Sequence, residues 1–508
     1  MKLFGADKKT IKSAVQEAVQ QISSDHELRL KEIRDSSFRR GFDAARVNRL
    51  TASFQTQLLT LDQMLKLDLK NLKGRSRNLS VNNDYAKSFI RLLKNNVVGP
   101  SGFKLQNKAK DPSGKLDEAA NDIIEENWAE WGKKENASVS GRISWLTHCY
   151  LFIASIAIDG EYLARRIKGW NNPFGYAIQP LETDLLDITL NKTLGNGNEI
   201  RMGIEFDKWD RPLRYYLRKR KSMDSYYVND YEVIPASEII HAFIYERAFQ
   251  SRGVVPMASA MIAMHNIHAA EEAEMYAVRG EASKMGFLEQ APDSEGYPGD
   301  VKDYEGNIVQ HVEPGEIELL PKGITFKAYD PTHPNGNFAI FKKEALKSMA
   351  SGIGAAYHSF ANDLENVNYS SIRQGALDER DSYKVLQSFM IEEFCNVVFS
   401  DVLEMSLLTQ KIKLPFSKFS KFNNPMFYGR RWGWVDPLKD VSSAEKEISL
   451  RLKSRTEIIA ESGRDFREVV DQIAEEEAYA KSKGVSLAVI DATIISPEDD
   501  ENAKKTNN

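Results

Sequence analysis

The segments FAIFKKEALKSMASGIGAAYHSF (338–360) and ANDLENVNYSS (361–371) decide how we interpret the fold of this 508-residue chain. The second segment is rich in hydrogen-bond acceptors and contains no Lys or Arg, which is typical of an exposed loop. A helix is predicted from Arg373, and it continues without Gly or Pro from Ala376 towards Leu408. The first segment predicts one continuous amphipathic helix, because its apolar residues recur every three or four positions, namely Phe338, Phe341, Ala345, Met349, Ile353, Ala356 and Phe360.

A further long helix is predicted before this region, from Pro256 to Met285. Its face carries Met257, Met261, Met264, His268 and Met275. Between the two helices, residues 286–337 hold frequent Gly and Pro and short β-like runs at 317–320 and 325–329. Two helices around a compact insert form a hairpin that cannot bury its own apolar stripes. We therefore expect an obligate oligomer in which neighbouring copies cover those stripes.

The N-terminal half predicts helices first and a small sheet afterwards, which makes the chain mainly helical and of the α+β class. Helices are predicted at 8–35, 83–99, 116–131 and 143–158, the second with an Asn cap and a terminal Gly. Trp128 and Trp131 are interpreted as core or subunit-interface residues and not as a ligand platform. Strands are predicted at 161–167, 200–206, 213–218 and 239–243, with a hairpin turn at 207–211.

The C-terminal region carries three helix-start signals that predict a charged helical bundle. They are the Ser442/Glu445 and Ser454/Glu457 capping boxes and the Asp465/Glu468 variant, with stops predicted at Gly463 and Gly484. Beyond residue 485 we expect a weakly ordered acidic tail. From Glu475 onwards the chain has 8 acidic residues against 4 Lys.

Composition predicts a soluble protein with reduced, buried thiols at Cys149 and Cys395. The net charge is only −5, but residues 1–110 hold 22 Lys and Arg against 10 Asp and Glu, and Arg75 and Arg77 there suit subunit or nucleic-acid contacts equally. The start of the chain lacks the apolar core of a signal peptide. The apolar run 143–158 is too short to span a membrane, so no membrane partner is expected.

The sequence offers no pattern that predicts catalysis, a cofactor or a metal site. It contains no G-x-x-x-x-G-K-[ST] phosphate loop and no G-x-S-x-G elbow. His265, His268 and Glu272 share a helical face but lack the intervening Glu of a zinc motif, and a polar face is the preferred interpretation. One alternative remains open, a metal-dependent nucleic-acid-processing enzyme in which Asp363 and Glu365 bind Mg²⁺. Against it, the loop shows no supporting His, Lys or third acid.

The sequence SMASGIGAAYHSF…NVNYSSIRQGALDE (348–379) resembles that of the lambda-type phage portal proteins. Five further stretches resemble the same family, namely 72–106, DGEYLARR (159–166), GIEFDKWDRPLRYY (203–216), IIHAFIYERAFQSRGVVP (239–256) and RRWGWVDPLKD (430–440). The matches occur in the same order and span residues 38–484. No single motif among them is specific, but the ordered set is.

This resemblance implies an elongated subunit of a ring, most often of twelve copies, at one vertex of the capsid. The implied parts are a basic arm (1–37), an α/β wing (38–253), a first stem helix (254–285), a β-containing clip (286–337), a second stem helix (338–360), a tunnel loop (361–372), a long wing helix (373–412), a helical crown (413–484) and a disordered acidic tail (485–508). Such a ring acts in the host cytoplasm during assembly and in the virion afterwards.

The resemblance also implies the partners and the site residues. Double-stranded DNA would pass through the channel, driven by the large subunit of terminase and later released into the tail. Major capsid, scaffolding, head-completion and tail-adaptor proteins are the other implied partners. Partner binding falls to clip residues such as Glu313, Glu316 and Lys322. The channel would be lined by Asn362, Asp363, Glu365, Asn366, Asn368, Tyr369, Lys343 and Lys347. An acidic loop repels phosphate, which suits a collar that surrounds DNA without gripping it.

Overall fold

The computed structural model describes residues 20, 23–27, 31, 49, 52–53, 56–222, 225–282, 286–290, 324–328, 336–365, 369–432, 437–461 and 466–485. The chain divides into two units, residues 1–60 and residues 61–508. In the first unit, residues 23–27 are helical, and most of the helix predicted at 8–35 lies outside the described residues. The elements below all belong to the second unit.

Helices make up most of the described part of the second unit. They are α1 (Leu61–Asn82), α2 (Asp84–Leu93), α3 (Glu118–Trp131), α4 (Lys134–Ala137), α5 (Trp145–Asp159), α6 (Met261–Ala282), α7 (Gly336–Ile353), α8 (Tyr357–Ala361), α9 (Tyr369–Met390), α10 (Asn396–Leu408), α11 (Phe419–Phe422), α12 (Pro437–Ser449), α13 (Arg455–Glu461) and α14 (Phe466–Ser482). A π-helical segment, Lys94–Val98, extends α2, and another, Ile391–Cys395, joins α9 to α10.

Twelve strands form four antiparallel sheets among the described residues. They are β1 (Lys104–Asn107), β2 (Glu161–Lys168), β3 (Tyr176–Leu181), β4 (Lys192–Thr193), β5 (Glu199–Arg201), β6 (Ile204–Phe206), β7 (Pro212–Ser222), β8 (Ser225–Pro235), β9 (Ile239–Phe243), β10 (Gly286–Gln290), β11 (Ile324–Ala328) and β12 (Pro425–Tyr428). The strand orders are β3-β2-β9, β4-β5-β6-β7-β8, β1-β12 and β10-β11. Because β12 pairs with β1, part of the segment that we assigned to the crown joins a sheet with the N-terminal half.

Several predicted boundaries are confirmed by local hydrogen bonds. The Asn83 side chain accepts from the amides of Tyr85 and Ala86, and the extended α2 ends at Gly99 with φ +69°. The turn at 207–211 is closed by the amide of Asp207, which donates to the carbonyl of Arg211. The described helices contain none long and apolar enough to cross a membrane.

The main core is aromatic and draws on both halves of the chain. Trp128 packs against Trp131, Trp145 and Phe399 with ring centroids 5.0 to 5.8 Å apart, which confirms the core interpretation of the two predicted tryptophans. Ile123, on the same helix, is exposed. The two cysteines are confirmed as free and buried, and burial raises the pKa of both thiols.

Other expectations are wrong, each for a local reason. The helix predicted over 338–360 is two helices, since Gly354 adopts φ +70° and α7 stops at Ile353. The following helix starts at Tyr369, earlier than expected, which shortens the loop. The strand predicted at 200–206 turns at Met202 and Gly203, both with positive φ.

The helix-start signals in the C-terminal region have different outcomes. Ser454 and Glu457 form a capping box, each side chain accepting from the other's amide. Ser442 does not cap a helix, because α12 starts at Pro437 and Ser442 lies inside it. Asp465 and Gly463 lie outside the described residues, whereas Gly484 follows α14 with φ +71°.

Candidate functional site

The candidate site is the segment from α7 through α8 to the start of α9. This segment packs against α6 and α2. Ser259, just before α6, donates its hydroxyl to the carbonyl of Gly352 at 3.1 Å. Further along, Glu271 of α6 accepts from Tyr85 of α2 at 2.6 Å and pairs with Lys342 of α7 at 2.6 Å. Partial burial and this carboxylate raise the pKa of Tyr85 to about 12. These polar contacts fix α7 against two other helices.

Glu379, on α9, organises the turn between α7 and α8. Its carboxylate accepts from the amide of Ala356 at 3.3 Å, from the hydroxyl of Ser359 at 2.8 Å and from Tyr383 at 2.8 Å. Partial burial and the neighbouring Glu379 charge raise the pKa of Tyr383. One carboxylate therefore binds the Ala356 amide just after the helix break and links it to side chains of α8 and α9.

The described start of the loop is held by Asp363. Its carboxylate accepts from Tyr357 at 2.6 Å and from the amide of Glu365 at 2.9 Å, and it pairs with Lys343 at 3.0 Å. The hydrogen bond from Tyr357, the amide of Glu365 and the Lys343 ammonium lower the pKa of Asp363 to about 2. Partial burial and the Asp363 carboxylate in turn raise the pKa of Tyr357 to about 12.

This arrangement corrects the expectation that the loop carboxylates have no supporting cation. Asp363 is ionised but balanced by Lys343, so its charge is not free to repel phosphate. Lys347 is balanced too, through a 2.6 Å pair with Glu344 on the same helix. Glu365 is the exposed acid of the described loop.

The remaining predicted site residues are placed as follows. Asn362 ends α8 in the left-handed conformation, φ +53°, and is exposed. Tyr369 is the first residue of α9. The other predicted residues of the channel and clip lie outside the described part of the chain, namely Asn366, Asn368, Glu313, Glu316 and Lys322.

Sequence reasoning missed a buried charge cluster beneath β2. The Glu161 carboxylate contacts Arg252 at 2.5 Å, Lys73 at 2.6 Å and His241 at 3.0 Å, and all four side chains are almost inaccessible to solvent. Burial alone would raise the pKa of Glu161, but the Arg252 and Lys73 charges hold it well below its usual range. The partners are far apart in sequence, so neither spacing nor periodicity signals them.

Arg77 extends this cluster towards the surface. It binds both oxygens of Asp159 at 2.7 and 2.8 Å and also pairs with Asp184. These bonds engage Arg77 within its own chain, a structural role that the sequence did not indicate. Arg75, two residues earlier, is exposed.

The described residues contain no group of three or more His, Cys, Asp or Glu side chains that could hold a metal ion. The pair proposed for Mg²⁺, Asp363 and Glu365, is not arranged for it. Asp363 is engaged by Tyr357 and Lys343, and an ammonium 3.0 Å away disfavours a cation. The contacts of Asp363 have a structural role instead, because they hold the start of the loop.

Comparison with known proteins agrees with this role. Residues 47–387 match the model of the phage portal proteins of the lambda family. The chain is 36% identical over 460 residues to a probable portal protein of Halomonas phage phiHAP-1, covering 89% of each chain. It is 20% identical to portal protein B of Escherichia phage lambda, covering 84% of this chain and 87% of that protein.

The class that these matches define is a structural protein of tailed-phage particles. The chain belongs to the lambda family of phage portal proteins. Among solved structures, it is similar to a chain in the neck of an empty gene transfer agent particle computed with C6 symmetry, with a TM-score of 0.42 and 13% identity, covering 78% of this chain and 93% of that one. A chain in the neck of the native particle, computed with C12 symmetry, has a TM-score of 0.43 and 11% identity over the same shares.

Proposed function

We propose that twelve copies of this portal protein form a ring at one vertex of the capsid and that double-stranded DNA passes through its centre. A separate terminase drives the DNA inwards, and tail-adaptor and head-completion proteins later bind the same ring. Capsid and scaffolding proteins surround it during assembly in the host cytoplasm. The family membership supports the role, and the surface of α6 and α7 supports the assembly.

The observation that carries the proposal is an outer apolar surface on these two helices. Met261 and Met264 of α6 and Met349 of α7 are buried in the chain's own core, so part of each predicted stripe is already satisfied. On the other faces, large apolar side chains stay exposed: Ile262 by 68%, Tyr276 by 62%, Ile340 by 64% and Phe341 by 60%. Surfaces of this kind mark contacts with other proteins, and neighbouring copies of the chain fit it.

The loop after α8 is proposed to face the channel. It adds little apolar area to a subunit contact, and its described charges are either balanced, at Asp363, or acidic, at Glu365. A surface with no free cation gives phosphate few attachment points, so duplex DNA slides past it. Partner binding is proposed for the clip, residues 286–337, which includes β10 and β11.

The test is the mass of the purified protein in solution. Twelve copies of the 57.6-kDa chain give a particle of about 690 kDa. The double variant Ile340→Asp/Phe341→Asp should shift the protein to smaller species, because it places charges in the proposed contact. Trp209→Asp, at an exposed apolar residue in the β6–β7 turn, is the matched control and should keep the ring. A wild-type protein that stays a monomer at micromolar concentration would overturn the proposal.

A further inference from the structure

A groove between α1, α2 and α5 has the features of a binding site and plays no part in the proposed channel. It has a volume of about 390 Å³. Its lining comes from three helices and the π-helical extension of α2, and consists of Ser80, Lys87, Ile90, Arg91, Lys94, Asn95 and Ile158. The two isoleucines contribute apolar surface, and three cations contribute the charge.

The three cations form one row. Lys87, Arg91 and Lys94 are four and three residues apart, which places them on one helical face over about 10 Å. None of them forms an ion pair with another residue in the part of the chain that the structure describes. Asp159, which follows the groove residue Ile158, accepts from two nitrogens of Arg77, so its charge does not cancel that of the row.

The walls of the groove are fixed before any ligand arrives. Ser76 of α1 donates its hydroxyl to the carbonyl of Ile158 of α5 at 2.5 Å. Tyr150 of α5 donates to the carbonyl of Gly99, at the end of the extended α2, at 2.6 Å. Asn83 caps α2 and donates its side-chain amide to the carbonyl of Met264. A preformed site of this kind loses little entropy when it binds.

The occupant is an acidic peptide with apolar residues beside its charges, since the groove combines an apolar surface with a basic row. This chain carries such a segment in IISPEDDE (494–501), where Ile494 and Ile495 precede four consecutive acids. Four extended residues span about 10 Å from first to last, which matches the length of the cationic row. We infer that the acidic C-terminal segment 494–501 of this chain docks in the groove formed by Lys87, Arg91 and Lys94.

The test is disulfide cross-linking in the full-length protein. Asn95→Cys, in the groove, is combined with Ser496→Cys, in the acidic segment, under mild oxidation. The native cysteines do not interfere, because both are fully buried. We expect this pair to cross-link at least tenfold faster than Asn71→Cys, on the exposed side of α1, combined with the same Ser496→Cys.

Charge reversal then separates specific docking from chance collision. Adding Arg91→Glu and Lys94→Glu should slow the cross-link about tenfold, and replacing Asp499 and Asp500 by Lys in the same protein should restore it. The control reversal, Lys66→Glu with Lys70→Glu on α1, should have no effect. The inference is overturned if Asn95→Cys cross-links to Ser496→Cys no faster than Asn71→Cys does. It is also overturned if Arg91→Glu with Lys94→Glu leaves that rate unchanged, or if replacing Asp499 and Asp500 by Lys fails to restore it.

Discussion

Gly253 lies directly against Gly160, so close that a Cβ atom on Gly253 would overlap the Gly160 carbonyl, and one on Gly160 would overlap the backbone of Val254. This contact brings the Arg252–Gly253 backbone to the start of β2. There the Gly253 amide donates to Glu161 at 3.0 Å, and Arg252 reaches the same carboxylate. The two glycines therefore make the buried charge cluster possible.

Gly160→Ala should destabilise the protein by about 4 kcal/mol or more, at the upper end for a single substitution, because backbone atoms cannot yield to the new methyl. Gly169→Ala is the matched control, since Gly169 has φ +79° against +80° at Gly160 but nothing within 4 Å of its Cβ position. The control should lose only the roughly 1–2 kcal/mol of a left-handed alanine. Denaturant unfolding at equal protein concentration measures both, and equal losses would contradict the argument.

Removing one partner from the buried cluster should be costly. Glu161→Leu leaves Arg252 and Lys73 buried without their counter-charge, so we expect a loss of about 3–5 kcal/mol of unfolding free energy. Arg165→Ala is the control, because Arg165 pairs with the exposed acids Glu232 and Glu238 and should lose less than about 1 kcal/mol. A Glu161→Leu protein as stable as the Arg165→Ala protein would show that the cluster contributes little.

Asp363 should order the start of the loop. In Asp363→Ala, the amide of Glu365 and the hydroxyl of Tyr357 lose their acceptor, so peptides covering 357–365 should exchange amide hydrogens faster. Asp381→Ala, which breaks an exposed pair with Lys384, should leave those peptides unchanged. Unaltered exchange in Asp363→Ala would mean that other contacts hold the loop.

The same carboxylate predicts a pH dependence. The folded pKa of Asp363 is about 2, below the ordinary value of about 3.9. Because the pKa of Asp363 is lowered on folding, its carboxylate stabilises the folded loop at pH values above the ordinary pKa. This stabilisation disappears as the pH falls through about 2. The wild-type loop should therefore be cleaved faster by pepsin as the pH falls from 4 to 2. The Asp363→Ala protein, which lacks the carboxylate, should show no such increase in the cleavage rate of the loop relative to a reference site.

Local signals predicted more of the fold than of the site. The Asn83 cap, the Ser454/Glu457 capping box and the strand at 239–243 depend on neighbouring residues, and the structure contains all three. The break at Gly354 was missed, because the apolar periodicity continues through it. Glu161 contacts Lys73 and Arg252, which lie 88 residues before it and 91 residues after it in the sequence. No sequence spacing indicates contacts over such separations. The Lys343–Asp363 pair was missed for a similar reason, since it depends on the chain reversing after α7.

Charge reversal in the loop should make the channel surface bind DNA instead of letting it slide past. Asp363→Lys with Glu365→Lys replaces two acids by two cations and also releases Lys343 from its pair. In a ring every copy presents this change, and each new phosphate contact adds affinity that falls steeply with salt. The start of the loop loses the contacts of Asp363, but ring mass should stay normal, because the loop adds little apolar area to a subunit contact.

The decisive measurement is the amount of DNA packaged per prohead, taken beside the ring mass and the salt dependence of DNA retention. The matched control is Asp122→Lys with Glu126→Lys, an exposed Asp and Glu one turn apart on α3, which should package normally. We expect the loop variant to retain DNA at low salt and to package less of it, with Glu365→Lys alone giving a smaller effect. Normal packaging by intact rings of the loop variant would show that this loop does not face the DNA.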